Sequence, residues 1–254
     1  MKFKEIRQAP LVGALNTHIF VEDENGKKYL RRHPKSNLHV MSFIAHEQDF
    51  IGFTGIGGKF RRRTPQEQER FTINAVSHGL RVLPPTYVDE KGIVYFSYLS
   101  HIQTLDNYLP NTIADESQRV VLQLFNDLQL AHSKGVIYGD RWSENMLIVP
   151  TYGLMHIDFD LEIYGNGARE LEVAQVVFYT LCGGREKVLP LLANLLGMRN
   201  QWFDLRLVEQ FTMRLATHFQ AHKTYGNAVN DSAILFDIIR AQRGLAAQPR
   251  FERG

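Results

Sequence analysis

Residues 135–161 of this 254-residue chain, GVIYGDRWSENMLIVPTYGLMHIDFDL, hold the side chains whose types and spacing could do chemistry. Asp140 follows an apolar run of Val136, Ile137 and Tyr138. Asn145 comes five positions later, just before a second run from Met146 to Val149, and a third run ends in Asp158, Phe159 and Asp160. Short apolar runs bounded by turn residues read as buried strands, so three strands would each deliver a polar side chain to one edge. Phosphoryl transfer needs a carboxylate facing an acceptor hydroxyl, here Asp140. It also needs oxygen ligands for hard magnesium ions, here the Asn145 amide and the Asp158 carboxylate, with Asp160 as a further candidate ligand. Any one of these residues alone is more often a turn or cap residue. Their joint arrival at strand edges is what carries the reading.

Composition narrows the classes. The apolar fraction suffices for a sizeable core, in one large domain or two modest ones. A formal net charge of +2 makes no global case for nucleic acid or for a membrane surface. The single cysteine, Cys182, excludes an internal disulfide and a multi-cysteine metal site, and its apolar setting suggests a reduced, buried thiol in a cytoplasmic protein. The first twenty residues have no long apolar core, and no run approaches the length of a membrane span.

In chain order, Leu11 to Glu22 and Lys28 to Arg32 read as a strand pair joined at Glu24-Asn25-Gly26. Strand alternation sends only one of Arg31 and Arg32 to a given face. Gly52, Gly55, Gly57 and Gly58 precede Lys59, but Phe53 and Phe60 break the P-loop pattern, so this stretch reads as a flexible loop. Thr64-Pro65-Gln66-Glu67 is a helix start with a capping box, which makes Glu67 structural. Glu69 shares a helical face with Ile73, Val76 and Leu80 and is therefore expected to turn toward the strands and pair with a basic residue there. Arg61, Arg62 and Arg63 read as a solvated charge run or an anion-steadying cluster. Leu83 to Asp89 and Ile93 to Leu99 read as two strands around Glu90-Lys91-Gly92. Beyond Ser100 the pattern turns helical, with one apolar stripe at Val121, Leu124, Phe125, Leu128 and Ala131, then Leu171–Leu181, Lys187–Leu196, Leu205–Phe219 and Ser232–Gln242.

Tyr138-Gly139-Asp140, Asn145 and Asp158-Phe159-Asp160, set in this order of elements, resemble the catalytic and metal-binding loops of the protein-kinase-like superfamily. The Gly-Asp form followed by Asn-Met-Leu-Ile is similar to small atypical kinases: the RIO type, the kinase subunit of the tRNA threonylcarbamoylation complex, and the lipopolysaccharide-core kinases. The resemblance implies an α+β, two-lobed fold, with an antiparallel-sheet N-lobe carrying one helix (residues 1–99) and a mainly helical C-lobe (residues 100–254). It implies ATP and Mg2+ as cofactors, with Arg32 in place of the usual phosphate-holding lysine, Glu69 as its partner, and the backbone of Ser97, Tyr98 and Leu99 as the adenine hinge. The sequence departs from the family in four places: Arg32 replaces a lysine, Tyr138 a histidine and Asp160 a glycine, and Gly13 stands alone where a glycine-rich loop is usual. Two readings follow, an active phosphotransferase or a pseudokinase that binds nucleotide or a protein partner. No Ala-Pro-Glu and no long segment follow Asp158, so the acceptor is expected to be a small molecule, a glycan or one folded protein, not a generic peptide.

Overall fold

The computed structural model describes residues 3–6, 11–12, 16–34, 38–198 and 202–244; Gly13 lies outside them. The N-terminal part contains β1 (Phe3–Glu5), β2 (Leu11–Val12), β3 (Asn16–Asp23), β4 (Lys28–Pro34), α1 (Leu38–Ile51), β5 (Gly58–Arg62), α2 (Pro65–Ser77), β6 (Tyr87–Val88) and β7 (Val94–Ser97). There follow β8 (Gln103–Thr104), α3 (Leu105–Asn111) and α4 (Ala114–Ser133), then β9 (Met146–Val149), β10 (Gly153–His156) and β11 (Leu161–Gly165). The chain continues through α5 (Ala168–Gly184), α6 (Leu189–Gly197), α7 (Leu205–His218) and α8 (Ala228–Gln242). The fold is mixed α+β, with an antiparallel N-terminal sheet and a helical C-terminal part.

The N-terminal sheet runs β1-β3-β4-β7-β6, with β2 also on β3, and every pairing is antiparallel. The β3–β4 turn forms because Gly26 takes a φ of 77° and the Asp23 carboxylate accepts from the amides of Asn25 and Lys27. A small core of Val21, Tyr29 and Tyr95 sits on this sheet, with Phe3 stacked on Tyr95 at 4.5 Å.

Helix α1 is an addition to the expected one-helix N-lobe, and it does not pack on that sheet. It lies against α7, where Phe50 meets His218 at 5.2 Å, and Phe53 beyond it meets Phe211 edge-on at 6.3 Å. β5 pairs with β11 rather than with the N-terminal sheet. Ile51, Phe53, Ala75, Leu80 and Val82 accordingly belong to the large core shared with the helices. The division expected at residues 99 and 100 is thus not the division between the two cores. The glycine-rich stretch is also packed, not loose, because a Cβ on Gly58 would lie 2.3 Å from the Phe53 ring.

Two expected strands differ. Val136–Tyr138 is buried but irregular, because its neighbours' amides are satisfied by side chains: Gly139 donates to Glu172 and Arg141 to Gln175. Leu83–Asp89 shrinks to β6, since Pro84 and Pro85 cannot donate to a ladder and Leu83 bonds instead to the His156 carbonyl at 3.0 Å. The apolar stripe of α4 is buried throughout, as its period requires.

Candidate functional site

Asp140 is held from two sides. The Gln175 amide of α5 donates to its carboxylate at 3.2 Å, and the Asn145 amide donates to its carbonyl at 3.1 Å. The loop bearing it is anchored by Glu172, fully buried on α5, which accepts from the Gly139 amide at 2.9 Å and meets His132 Nε2 at 2.5 Å. Gly139 is obligatory here. Its φ is 109°, and a Cβ would come within 2.0 Å of the Leu161 carbonyl oxygen. Although Asp140 keeps an opening to solvent, the surrounding protein desolvates its carboxyl and pushes it well above the ordinary range. The charge of Glu47 adds to this and Arg141 opposes it.

Arg141 is the pivot of the motif. Fully buried, it donates to the carbonyls of Ile157 and Asp158, both at 3.2 Å, and its guanidinium lies over the rings of Tyr138 and Phe159 at 5.5 and 5.2 Å. Tyr138 stacks on His156 at 4.6 Å and so serves as a packing surface. Asp158 has a left-handed φ of 58°, a conformation costing on the order of 1 kcal/mol that the Arg141 bonds hold in place. The Ile157 amide donates to the Asn145 carbonyl at 3.0 Å, so the Asn145 and Asp158 segments lie side by side.

Across the cleft, strand alternation turns Arg32 inward and Arg31 outward to Glu5. Arg32 is 4% exposed, donates to the Asp158 carboxylate at 2.7 Å, lies over the Phe96 ring at 5.1 Å and also donates to Gln68. Glu69 is not its partner. The buried face of α2 is Gln68, Thr72 and Ala75, whereas Ile73 and Val76 are 59% and 46% exposed. The amphipathic face therefore lies one residue from where the apolar side chains suggest. Arg63 is neither solvated nor aimed at a ligand: it is buried, donates to the Phe159 carbonyl at 3.0 Å and lies over the Phe71 ring at 4.2 Å.

The two oxygen donors Asn145 and Asp158 fit a hard cation. Asn145 spends its NH2 on Asp140, which leaves its amide oxygen for a metal, and the Asp158 carboxylate is 30% exposed. Asp160 does not fit that role. It is buried, accepts from the Asn16 amide at 3.1 Å, lies 3.9 Å from Arg62 and ties β3 to the site. Burial, with the Asp158 charge beside it, raises its carboxyl to about 6. Among the described residues, no group of three or more His, Cys, Asp or Glu side chains is arranged to hold a metal. At the segment expected to be the hinge, Tyr98 donates its amide to the Lys28 carbonyl at 3.1 Å, which would remove that donor from adenine, and the Ser97 hydroxyl meets that of Thr86 at 2.9 Å. Leu99 follows on the chain. A cavity of only about 10 Å³, room for about one water, lies among Arg32, Gln68, Phe96 and Asp158.

Gln68, Gln175, Glu172 and Arg141 escape the sequence reading. The legible signal was polarity out of place: from Leu171 to Phe178 α5 is otherwise apolar on all sides, so Glu172 and Gln175 within it need buried partners.

No family model matches the chain, and no curated protein does. Among solved structures it is similar to the Rio2 kinase-ADP/Mg2+-phosphoaspartate complex from Chaetomium thermophilum. The two are 13% identical with a TM-score of 0.49 over 92% of this chain and 72% of that one.

Proposed function

We propose that the protein is an ATP- and magnesium-dependent phosphotransferase acting on a hydroxyl of a small molecule, a glycan or one folded protein. The observation that carries this reading is Asp140, oriented by Gln175 and Asn145, with the Asn145 and Asp158 oxygens beside it and Arg32 opposite. Asp140 accepts the hydroxyl proton as the acceptor oxygen bonds to the γ-phosphorus and the bond to the leaving diphosphate breaks. Arg32 faces the phosphates, with Gln68 holding its guanidinium. Asn145 and Asp158 would hold a magnesium ion, which would neutralise charge on the transferring group. No helix among the described residues is long and apolar enough to cross a membrane.

One observation favours the second reading, a pseudokinase. The Arg32–Asp158 ion pair closes the space that phosphates would need, and it must open for metal and nucleotide to enter. Thermal denaturation with and without ATP and Mg2+ separates the two. Ligand at a hundred times its dissociation constant stabilises by about 2.7 kcal/mol. A rise in midpoint that needs both, with turnover lost in Asp140→Asn, supports the enzyme, and a flat response sinks it.

A further inference from the structure

Two buried titratable side chains behind the motif take no part in phosphoryl transfer. Asp127 lies on the buried face of α4, and His156 closes β10 two residues before Asp158; neither is more than 6% exposed. The His156 ring is tightly held. Its backbone is clamped to the segment after α2, donating to the Arg81 carbonyl at 2.8 Å and accepting from the Leu83 amide at 3.0 Å, and the ring stacks on Tyr138. His156 Nε2 lies 3.5 Å from the Asp127 carboxylate, and Nδ1 faces Arg141 Nη1 at 3.5 Å. Neither Nε2 nor the Asp127 oxygen facing it has another hydrogen-bond partner among the described residues, and the other Asp127 oxygen lies 3.7 Å from Arg81.

The neighbours place the ring proton. A guanidinium only donates, so Nδ1 must accept from Arg141, which leaves the proton on Nε2, aimed at Asp127. Arg141 in turn spends Nη2 on the carbonyls of Ile157 and Asp158. A guanidinium is planar and rigid, so fixing Nη1 on His156 fixes the direction of Nη2. Without that second anchor the guanidinium is free to turn on its aliphatic stem, and Asp158 loses the bonds that hold its left-handed φ of 58°. Carboxylate, imidazole, guanidinium and two carbonyls thus form one chain of contacts from α4 to the Asp158 loop.

Resting on the phosphotransferase reading, in which Asp158 holds metal, we infer that Asp127 and His156 are positioning residues: they fix the Arg141 guanidinium in the orientation that presents the Asp158 carboxylate to a divalent cation. They touch neither metal nor substrate.

The test is ATP binding by the full chain, read by calorimetry against rising Mg2+, with EDTA as the metal-free reference and circular dichroism as the check of fold. Asp127→Leu and His156→Phe cut the chain of contacts at two points, the second keeping an aromatic ring on Tyr138. Each is expected to raise the Mg2+ concentration at half-saturation about tenfold while leaving ATP binding in EDTA unchanged. A fall in ATP binding with and without Mg2+ alike, or lower thermal stability with unchanged Mg2+ dependence, means a structural role only and overturns the inference. Where neither variant folds, the ring-nitrogen chemical shifts of His156 in the parent chain decide. A neutral ring protonated at Nε2 supports the inference, and any other form overturns it. A parent chain with no Mg2+-dependent response removes the phosphotransferase reading, whereas a parent response that both variants share removes this inference alone.

Discussion

Arg32 and Asp158, 126 residues apart in sequence, meet at 2.7 Å across the cleft between β4 and the loop after β10. The pair joins the sheet to the loop that bears Asp158, and each partner is also the group proposed to meet phosphate or metal. Folding and ligand entry therefore compete for the same two charges.

Asp158→Asn is expected to remove Mg2+-dependent stabilisation by ATP while leaving the protein folded. Asparagine tolerates the left-handed φ of 58° at this position, so the backbone is not newly strained. Circular dichroism checks the fold and thermal shift the ligand. A variant that keeps the full ATP and Mg2+ response would take Asp158 out of the site.

Gln68→Ala is expected to cost about 1.5–3 kcal/mol, because it strips a hydrogen bond from a buried guanidinium, and to weaken nucleotide binding with it. Glu69→Ala, whose side chain has no partner among the described residues, should stay within about 0.5 kcal/mol of the parent. Urea denaturation of the two variants decides between them, and the opposite ranking would restore Glu69 as the partner of Arg32.

Burial raises the Glu47 carboxyl to about 7 from an ordinary value near 4.5. The native state then binds more proton than the unfolded state between those values. The stability this group contributes is fully present below 4.5 and is lost as pH rises through 7. Glu47→Gln carries no such charge. It should match the parent near pH 4 and exceed it at pH 8 by up to about 3 kcal/mol. Asp140 and Tyr179 feel the Glu47 charge, so the difference curve carries their coupled response together with that of Glu47. A pH-independent difference would mean that Glu47 is not desolvated.

Short serine, threonine and tyrosine peptides should be poor acceptors. Between Asp158 and the first residue of α5 at Ala168 the chain is used up by β11, which is paired with β5 along its whole length, and by the Gly165-Asn166-Gly167 turn. No platform for an extended peptide remains. Labelled ATP with a degenerate peptide library measures this, and sequence-selective turnover would refute it.

The order of elements was legible in the sequence wherever local chemistry decides it. The capping box at Thr64 and Glu67 forms with bonds of 2.7 and 3.2 Å, the Gly26 turn closes its hairpin, and the helical periods after Ser100 fall within a few residues of α4 to α8. The spacing of Asp140, Asn145 and Asp158 was legible for the same reason, since each follows or precedes a short apolar run. Partner choice was not. The α2 face carrying Gln68 rather than Glu69 is selected by contact with β4 and the Asp158 loop, and a shift of one residue is about 100° of rotation that exposed apolar side chains such as Ile73 disguise. Asp160 is drawn away to Asn16, 144 residues earlier, by a pairing that only the closed fold creates. Helix α1 has no cap signal in the described chain and finds its place by burying Ile51 and setting the half-exposed Phe50 ring against His218 of α7. Long-range burial decides where the polar groups near Asp140 end up, and a one-dimensional pattern carries no distance between residues 16 and 160.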